Sequence, residues 1–289
     1  MSHPAPAPSM AEIKRRQAVA LGWAPRVRLS TPREAETFLE HYGVVLRYTA
    51  PTSVLLASLR SASGPANDDA ALAASIQLTN HVLGRACGIE VNVVAGGRLT
   101  IVHRELMPAL YRLVRGDRAP VDLEGLSLAA RTAYALVRDQ REVAAGDVRR
   151  RLGIAATPRH DPAYEALAEL QRQLLVDRGP FVVPKTGIPY LSREGYPYHL
   201  FHGAHADLVR AASKLDRASA ADRWLAAYLE GVTVAVPRSL ASLFRLFLTP
   251  GEIEASVDRL AAVGRVRRLK SAIESLGTQR AGRARRTRS

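Results

Sequence analysis

The sequence predicts a mainly α protein with short β-hairpins, organised as tandem winged helix-turn-helix domains. Apolar residues recur at helical spacing along most of the chain, and Ala, Leu and Arg, all good helix formers, are plentiful. Short β-branched runs follow several of these helices. One order of elements is also written twice, from about Leu126 to Val183 and from about Ala218 to Leu269. In each copy an amphipathic helix is followed by a short helix, a helix opened by proline and a basic hairpin. At 289 residues the chain has room for two or three small cores, because domains typically run to roughly 100–150 residues.

The elements can be justified in order. Residues 1–28 read as a flexible basic N-terminal segment, Pro- and Ala-rich at first and then able to form a short helix around Lys14, Arg15 and Arg16. Thr31-Pro32-Arg33-Glu34 is a capping box with proline at the first helical position, so a helix starts there and runs to about His41. Gly43–Thr49 reads as a short strand or buried linker and Ser53–Ser61 as a helix. Asp68 or Asp69 caps a further helix to about Ala86. Ile89–Val94 and Leu99–Val102 flank Gly96-Gly97 as a hairpin, and Glu105–Val114 returns to helix. Residues 29–120 thus form an N-terminal winged-helix-like domain.

A second domain, 121–202, opens with the stripe Leu126, Ala129, Ala133 and Leu136. Gly153 ends its short second helix, and Asp161-Pro162 caps the third. Leu175–Val183 and about 187–192 are the expected wing. In the third domain, 203–269, Ser219 caps a helix bearing Trp224, Leu225, Tyr228 and Leu229, with Gly231 as its left-handed terminator. Pro237 starts the short helix. Thr249-Pro250-Gly251-Glu252 repeats the capping box, and Arg265-Val266-Arg267 is a basic strand. Residues 270–289 read as a basic disordered tail.

Composition narrows the function. A single cysteine, Cys87, allows no internal disulfide and no thiolate pair for zinc, which suits a reducing compartment. No apolar run approaches the roughly 20 residues of a membrane span, and the N-terminus lacks a signal-peptide core. A cytoplasmic, nucleoid-associated protein is expected, with no membrane partner. The formal charge is +14. Nine basic residues against Glu274 alone place +8 of that charge between Arg265 and Ser289. Such a surplus attracts phosphate backbones through counterion release, so double-stranded DNA is the expected partner.

The candidate DNA contacts are Arg149, Arg150, Arg151 and Arg159 ahead of a helix N-terminus, Lys185 and Arg193 near the second wing, and Arg265, Arg267, Arg268 and Lys270 on the third. The third helices complicate this, because Glu165 and Glu169 in one unit and Glu254 and Asp258 in the other would meet phosphate. They leave open a protein partner docking on those helices. His199, His202 and His205 lie among Pro and Gly residues with no thiol or carboxylate close in sequence, so no metal site is expected. His103 and Glu105 read as residues flanking a helix start. No phosphate-binding loop, dinucleotide fingerprint, nucleophile elbow or kinase set is present. No cofactor is expected, and no catalytic residue is assignable.

The stretches Ile101–Tyr111, Leu126–Tyr134, Val148–Gly153 and Tyr164–Gln171 resemble the tandem winged-helix proteins of the AlkZ/YcaQ crosslink-repair DNA glycosylases. The resemblance spans about Thr31 to Leu269 and implies winged helices around a DNA channel. Its enzymatic members use a Gln-apolar-Gln or Gln-apolar-Asp triplet shortly after the first helix to orient water. The stretch in that place here, Tyr42-Gly43-Val44-Val45-Leu46-Arg47-Tyr48, holds neither Gln nor carboxylate. Valine and leucine can neither orient water nor stabilise a developing cation. The expectation is therefore a non-catalytic DNA-binding protein of repair or regulation. The alternatives are a divergent glycosylase using Glu34, Glu36, Glu40 or His41, and a winged-helix protein-interaction scaffold.

Overall fold

A computed structural model describes residues 9, 11–12, 15, 17–18, 21, 28–49, 51, 53–65, 67–154, 161–180, 196–270 and 272–276. The first unit runs α1 (Pro32–Tyr42), β1 (Val44–Leu46), α2 (Leu59–Ser63), α3 (Asp69–Gly84), β2 (Gly88–Val94) and β3 (Arg98–His103), then a 3-10 turn and α4 (Met107–Arg115). Both halves of the first capping box form: the Thr31 hydroxyl accepts from the Glu34 amide at 3.3 Å, and Glu34 accepts from the Thr31 amide at 3.0 Å. The helix expected over 53–61 is displaced. Ser58 is extended and caps the Ser61 amide at 3.1 Å, while the Ala57 carbonyl accepts from the Leu46 amide at 2.7 Å. Residues before Ser58 are therefore drawn alongside β1, and the helix waits until Leu59.

The second unit has α5 (Leu128–Gln140), α6 (Ala145–Leu152), α7 (Pro162–Arg172), β4 (Val176–Arg178) and β5 (Tyr198–Leu200). Val143, between α5 and α6, bridges to Tyr198. The wing differs from expectation: β4 pairs with Tyr198–Leu200 and not with 187–192, in the register Val176↔Leu200 and Arg178↔Tyr198. Residues 181–195 lie outside the described residues. Two short helices, α8 (Phe201–Ala204) and α9 (Ala206–Ala212), lead to the third unit. That unit comprises α10 (Arg217–Val232), β6 (Val234–Ala235), α11 (Pro237–Phe244), α12 (Pro250–Ala262), β7 (Val266–Arg268) and β8 (Ile273–Ser275). Asp216, not Ser219, caps α10, accepting from the Ser219 amide at 2.8 Å.

One plan is therefore present three times: helix, strand, helix, helix, hairpin. The sheet orders agree, β1-β3-β2 and β6-β8-β7, with the Val143 bridge, β5 and β4 following the same order in the second unit. The chain is mainly helical with small antiparallel sheets, as its fold class predicts. Its buried residues make one large apolar cluster across the first and third units, a separate cluster in the second, around Ala130, Tyr134, Val137, Leu167 and Leu170, and a small one at Val234 and Ala272.

Gly231 shows how the first and third units meet. It does not end α10, which continues to Val232 and closes at Thr233 with φ 61°. A Cβ at Gly231 would stand 3.0 Å from the Tyr42 Cα, so the absence of a side chain lets α10 approach the end of α1. The contact of β2 with the second unit is polar, although Leu174 of that unit joins the large apolar cluster. All seven residues of β2 are buried, and their alternation gives the strand two interiors. Ile89, Val91 and Val93 join the apolar cluster. On the other face the Asn92 side-chain amide donates to the Ala168 carbonyl at 3.0 Å, and Gln171 donates to the Glu90 carbonyl at 3.1 Å. At the hairpin tip, the Ala95 amide donates to the Leu243 carbonyl of α11 at 2.8 Å.

Candidate nucleic-acid interface

Val44, Val45 and Leu46 are at most 1% exposed, so the segment that lacks polar residues in sequence is a core strand. Arg47, which follows, is buried and differs in kind. Its Nη1 donates to Glu90 Oε2 at 2.6 Å and its Nη2 to the Tyr196 hydroxyl. Arg178 Nε donates to the other Glu90 oxygen at 2.5 Å. The guanidinium of Arg47 lies 5.2 Å from the Tyr48 ring centroid and 4.7 Å from that of Tyr196, and Arg178 lies 4.6 Å from the Tyr196 ring. Burial raises the Glu90 carboxyl, and the two guanidiniums outweigh that effect and hold it below the usual carboxylate range. Arg178 is desolvated, yet Glu90 keeps it well above its ordinary value. Two cations face one anion, leaving a net positive charge in a buried site. Sequence reasoning missed this cluster, whose partners stand 43, 88 and 149 residues apart. Its one visible trace was a carboxylate inside the β-branched run Ile89-Glu90-Val91.

A second polar site lies where α1 ends against α10. Glu40, His41, His103, Glu105, Arg223 and Arg265 line a cavity of about 160 Å³. Arg265 Nη2 donates to Glu230 Oε1 at 2.7 Å, and Arg223 donates to the Glu105 carbonyl. Desolvation pushes the His41 imidazole below its ordinary value, which favours its neutral form. Of the carboxylates weighed as catalytic, Glu34 is occupied by its cap, where the Ser30 and Thr31 amides hold it below the usual range. Glu36 pairs with His81 at 2.8 Å and lies 3.7 Å from Arg85. Only Glu40 and His41 reach the cavity, and the structure brings them together with His103 and Glu105.

The basic residues singled out in sequence divide. Arg149 corrects the expectation of a phosphate contact, because it is 7% exposed and forked onto Asp161, with Nε 3.1 Å from Oδ1 and Nη2 2.8 Å from Oδ2. Arg150 is exposed and paired with Asp147. Arg151 is exposed and shares a groove between α5 and α6 with Arg131; among the described residues neither is ion-paired. On the β7–β8 hairpin, Arg267 pairs with Glu274 at 2.5 Å, and Arg268 pairs with Glu254 at 2.9 Å and Asp258 at 2.7 Å. Lys270 is exposed. Arg159, Lys185 and Arg193 lie outside the described residues. Among the described residues no three His, Cys, Asp or Glu side chains are grouped to hold a metal. His205 has a carboxylate partner after all, with Nε2 2.8 Å from Asp177 Oδ2.

The arrangement matches a solved structure, Streptomyces sahachiroi DNA glycosylase AlkZ, with a TM-score of 0.56 over 96% of this chain and 72% of that one, at 11% sequence identity. The fold is AlkZ-like. No family model matches the sequence, and comparison with curated proteins found no match. What the AlkZ-like chain shares with its neighbour is the arrangement of elements across nearly its whole length. No helix among the described residues is long and apolar enough to cross a membrane.

Proposed function

We propose that this chain is a double-stranded DNA-binding protein of repair or regulation, built from three winged helices and without base-excision activity of its own. The observation that carries the reading is the triplicated helix-strand-helix-helix-hairpin unit with one strand order. This is the plan of a winged helix, and it stands here in an AlkZ-like fold of formal charge +14. Arg131 and Arg151 of the α5–α6 groove, unpaired among the described residues, supply phosphate contacts. The third-helix carboxylates, which argued for a protein partner, are largely offset inside their own units. Glu254 and Asp258 hold Arg268, and Glu169 accepts from the Ser127 amide at 2.9 Å and its hydroxyl at 2.7 Å. The core position of Val44–Leu46 and the ion pair that engages Arg47 support a reading without base excision.

The test uses purified protein and two duplexes, one unmodified and one carrying N7-alkylguanine. Both are expected to bind, more weakly as salt rises, and no abasic sites are expected in the alkylated strand. The cavity containing Glu40 and His41 favours a second reading, a divergent glycosylase with its base in that cavity. Multiple-turnover base release abolished by Glu40→Gln or His41→Ala would establish that reading in place of the first.

A further inference from the structure

Resting on the DNA-binding reading above, we infer that Tyr48 is a stacking platform for an unpaired DNA base, held in place by the buried Arg47–Glu90–Arg178–Tyr196 cluster behind it. Tyr48 follows six consecutive buried residues and is nonetheless 48% exposed. Its ring is backed by the Arg47 guanidinium, and its carbonyl accepts from the Ser58 hydroxyl at 3.1 Å. The ring is therefore packed against Arg47 on a fixed backbone and still about half exposed. Arg47 cannot swing away without breaking its bonds to Glu90 and Tyr196. A rigid aromatic surface loses little entropy when a planar ligand stacks on it.

The charge behind the ring selects the ligand. The cluster carries two guanidiniums against one carboxylate, and Arg178 Nη2 is buried with no hydrogen-bond partner. That uncompensated positive charge favours a planar group flanked by anions, which describes a nucleobase between two phosphates. A base inside a duplex has both faces covered by its neighbours, so the platform takes a base that is bulged, flanked by a gap or otherwise out of the stack.

The experiment compares the full chain on two duplexes of equal length, one fully paired and one with a single extra 2-aminopurine in one strand. Stacking of one base predicts about tenfold tighter binding of the bulged duplex and quenching of its fluorescence. Tyr48→Ala brings the affinity ratio to about one and abolishes the quenching, while Tyr48→Phe retains both. A wild-type protein that binds both duplexes equally overturns the platform and leaves the DNA-binding reading intact. Failure to bind either duplex overturns both.

Discussion

Asp161 serves two partners at once. Its carboxylate takes the fork of Arg149 and also caps α7, accepting from the Tyr164 amide at 3.3 Å. Both residues are buried, so removing the arginine leaves a desolvated carboxylate with only its hydrogen bonds. Breaking a buried pair from one side costs about 3–5 kcal/mol. Arg149→Ala is therefore expected to lower the unfolding free energy measured by urea denaturation by that amount, whereas Arg151→Ala, on an exposed side chain, changes stability by no more than ~0.5 kcal/mol and weakens DNA binding. Equal stability of the two variants would show that the fork contributes little. In sequence the three arginines are alike, and a short helix does not say which of them turns inward. Arg149 is distinguished by a carboxylate 12 residues further on, after a segment whose path periodicity does not reveal. Arg47 was illegible for the same reason at longer range.

At the scale of elements, what sequence reveals is local and what it hides is shared between units. The boxes at Thr31 and Thr249 are legible because cap and partner lie three residues apart, and both form. The polar face of β2 is hidden because alternation shows that two faces exist without showing what covers the second. Gly231 looked like a terminator because a glycine near a helix end usually is one; its reason lies in Tyr42, on another unit. The second box also makes a pH prediction. Glu252 is held at about 2, chiefly by its hydrogen bond from Arg217, with burial opposing and the Thr249 amide assisting. Arg217 in turn donates to the Leu113 and Phe247 carbonyls, each at 2.8 Å, so the box is tied to α4 and to the turn that follows α11. The folded value lies below the ordinary 4.5. The stabilisation is therefore complete above that value and is lost as pH falls through about 2. Glu252→Gln should melt earlier than wild type at neutral pH, with the two melting curves converging towards pH 2. A gap in Tm that stays constant from pH 7 to pH 2 would count against this assignment.

For the whole molecule, charge must be read as a balance of partners and not as a count. Arg265, Arg267 and Arg268 make the third wing look strongly basic in sequence, yet each is tied to a carboxylate: Glu230, Glu274, and Glu254 with Asp258. An arginine that already has its counter-charge gains less from a phosphate and releases fewer ions when it meets one. The arginines at 280, 283, 285, 286 and 288 have no carboxylate near them in sequence, since Glu274 is the last acidic residue of the chain. Each neutralised phosphate contributes about 0.9 to the slope of log affinity against log salt. Removal of residues 280–289 is therefore expected to lower that slope by up to ~4.5, from five charges at ~0.9 each. The double variant Arg267→Ala/Arg268→Ala should lower it by clearly less than the ~1.8 that two unpaired arginines would contribute. Titration of one duplex across a range of potassium chloride concentrations measures both. If the wing variant loses as much slope per arginine as the tail deletion, the ion pairs with Glu254, Asp258 and Glu274 open on DNA, and the third wing is a contact surface in its own right.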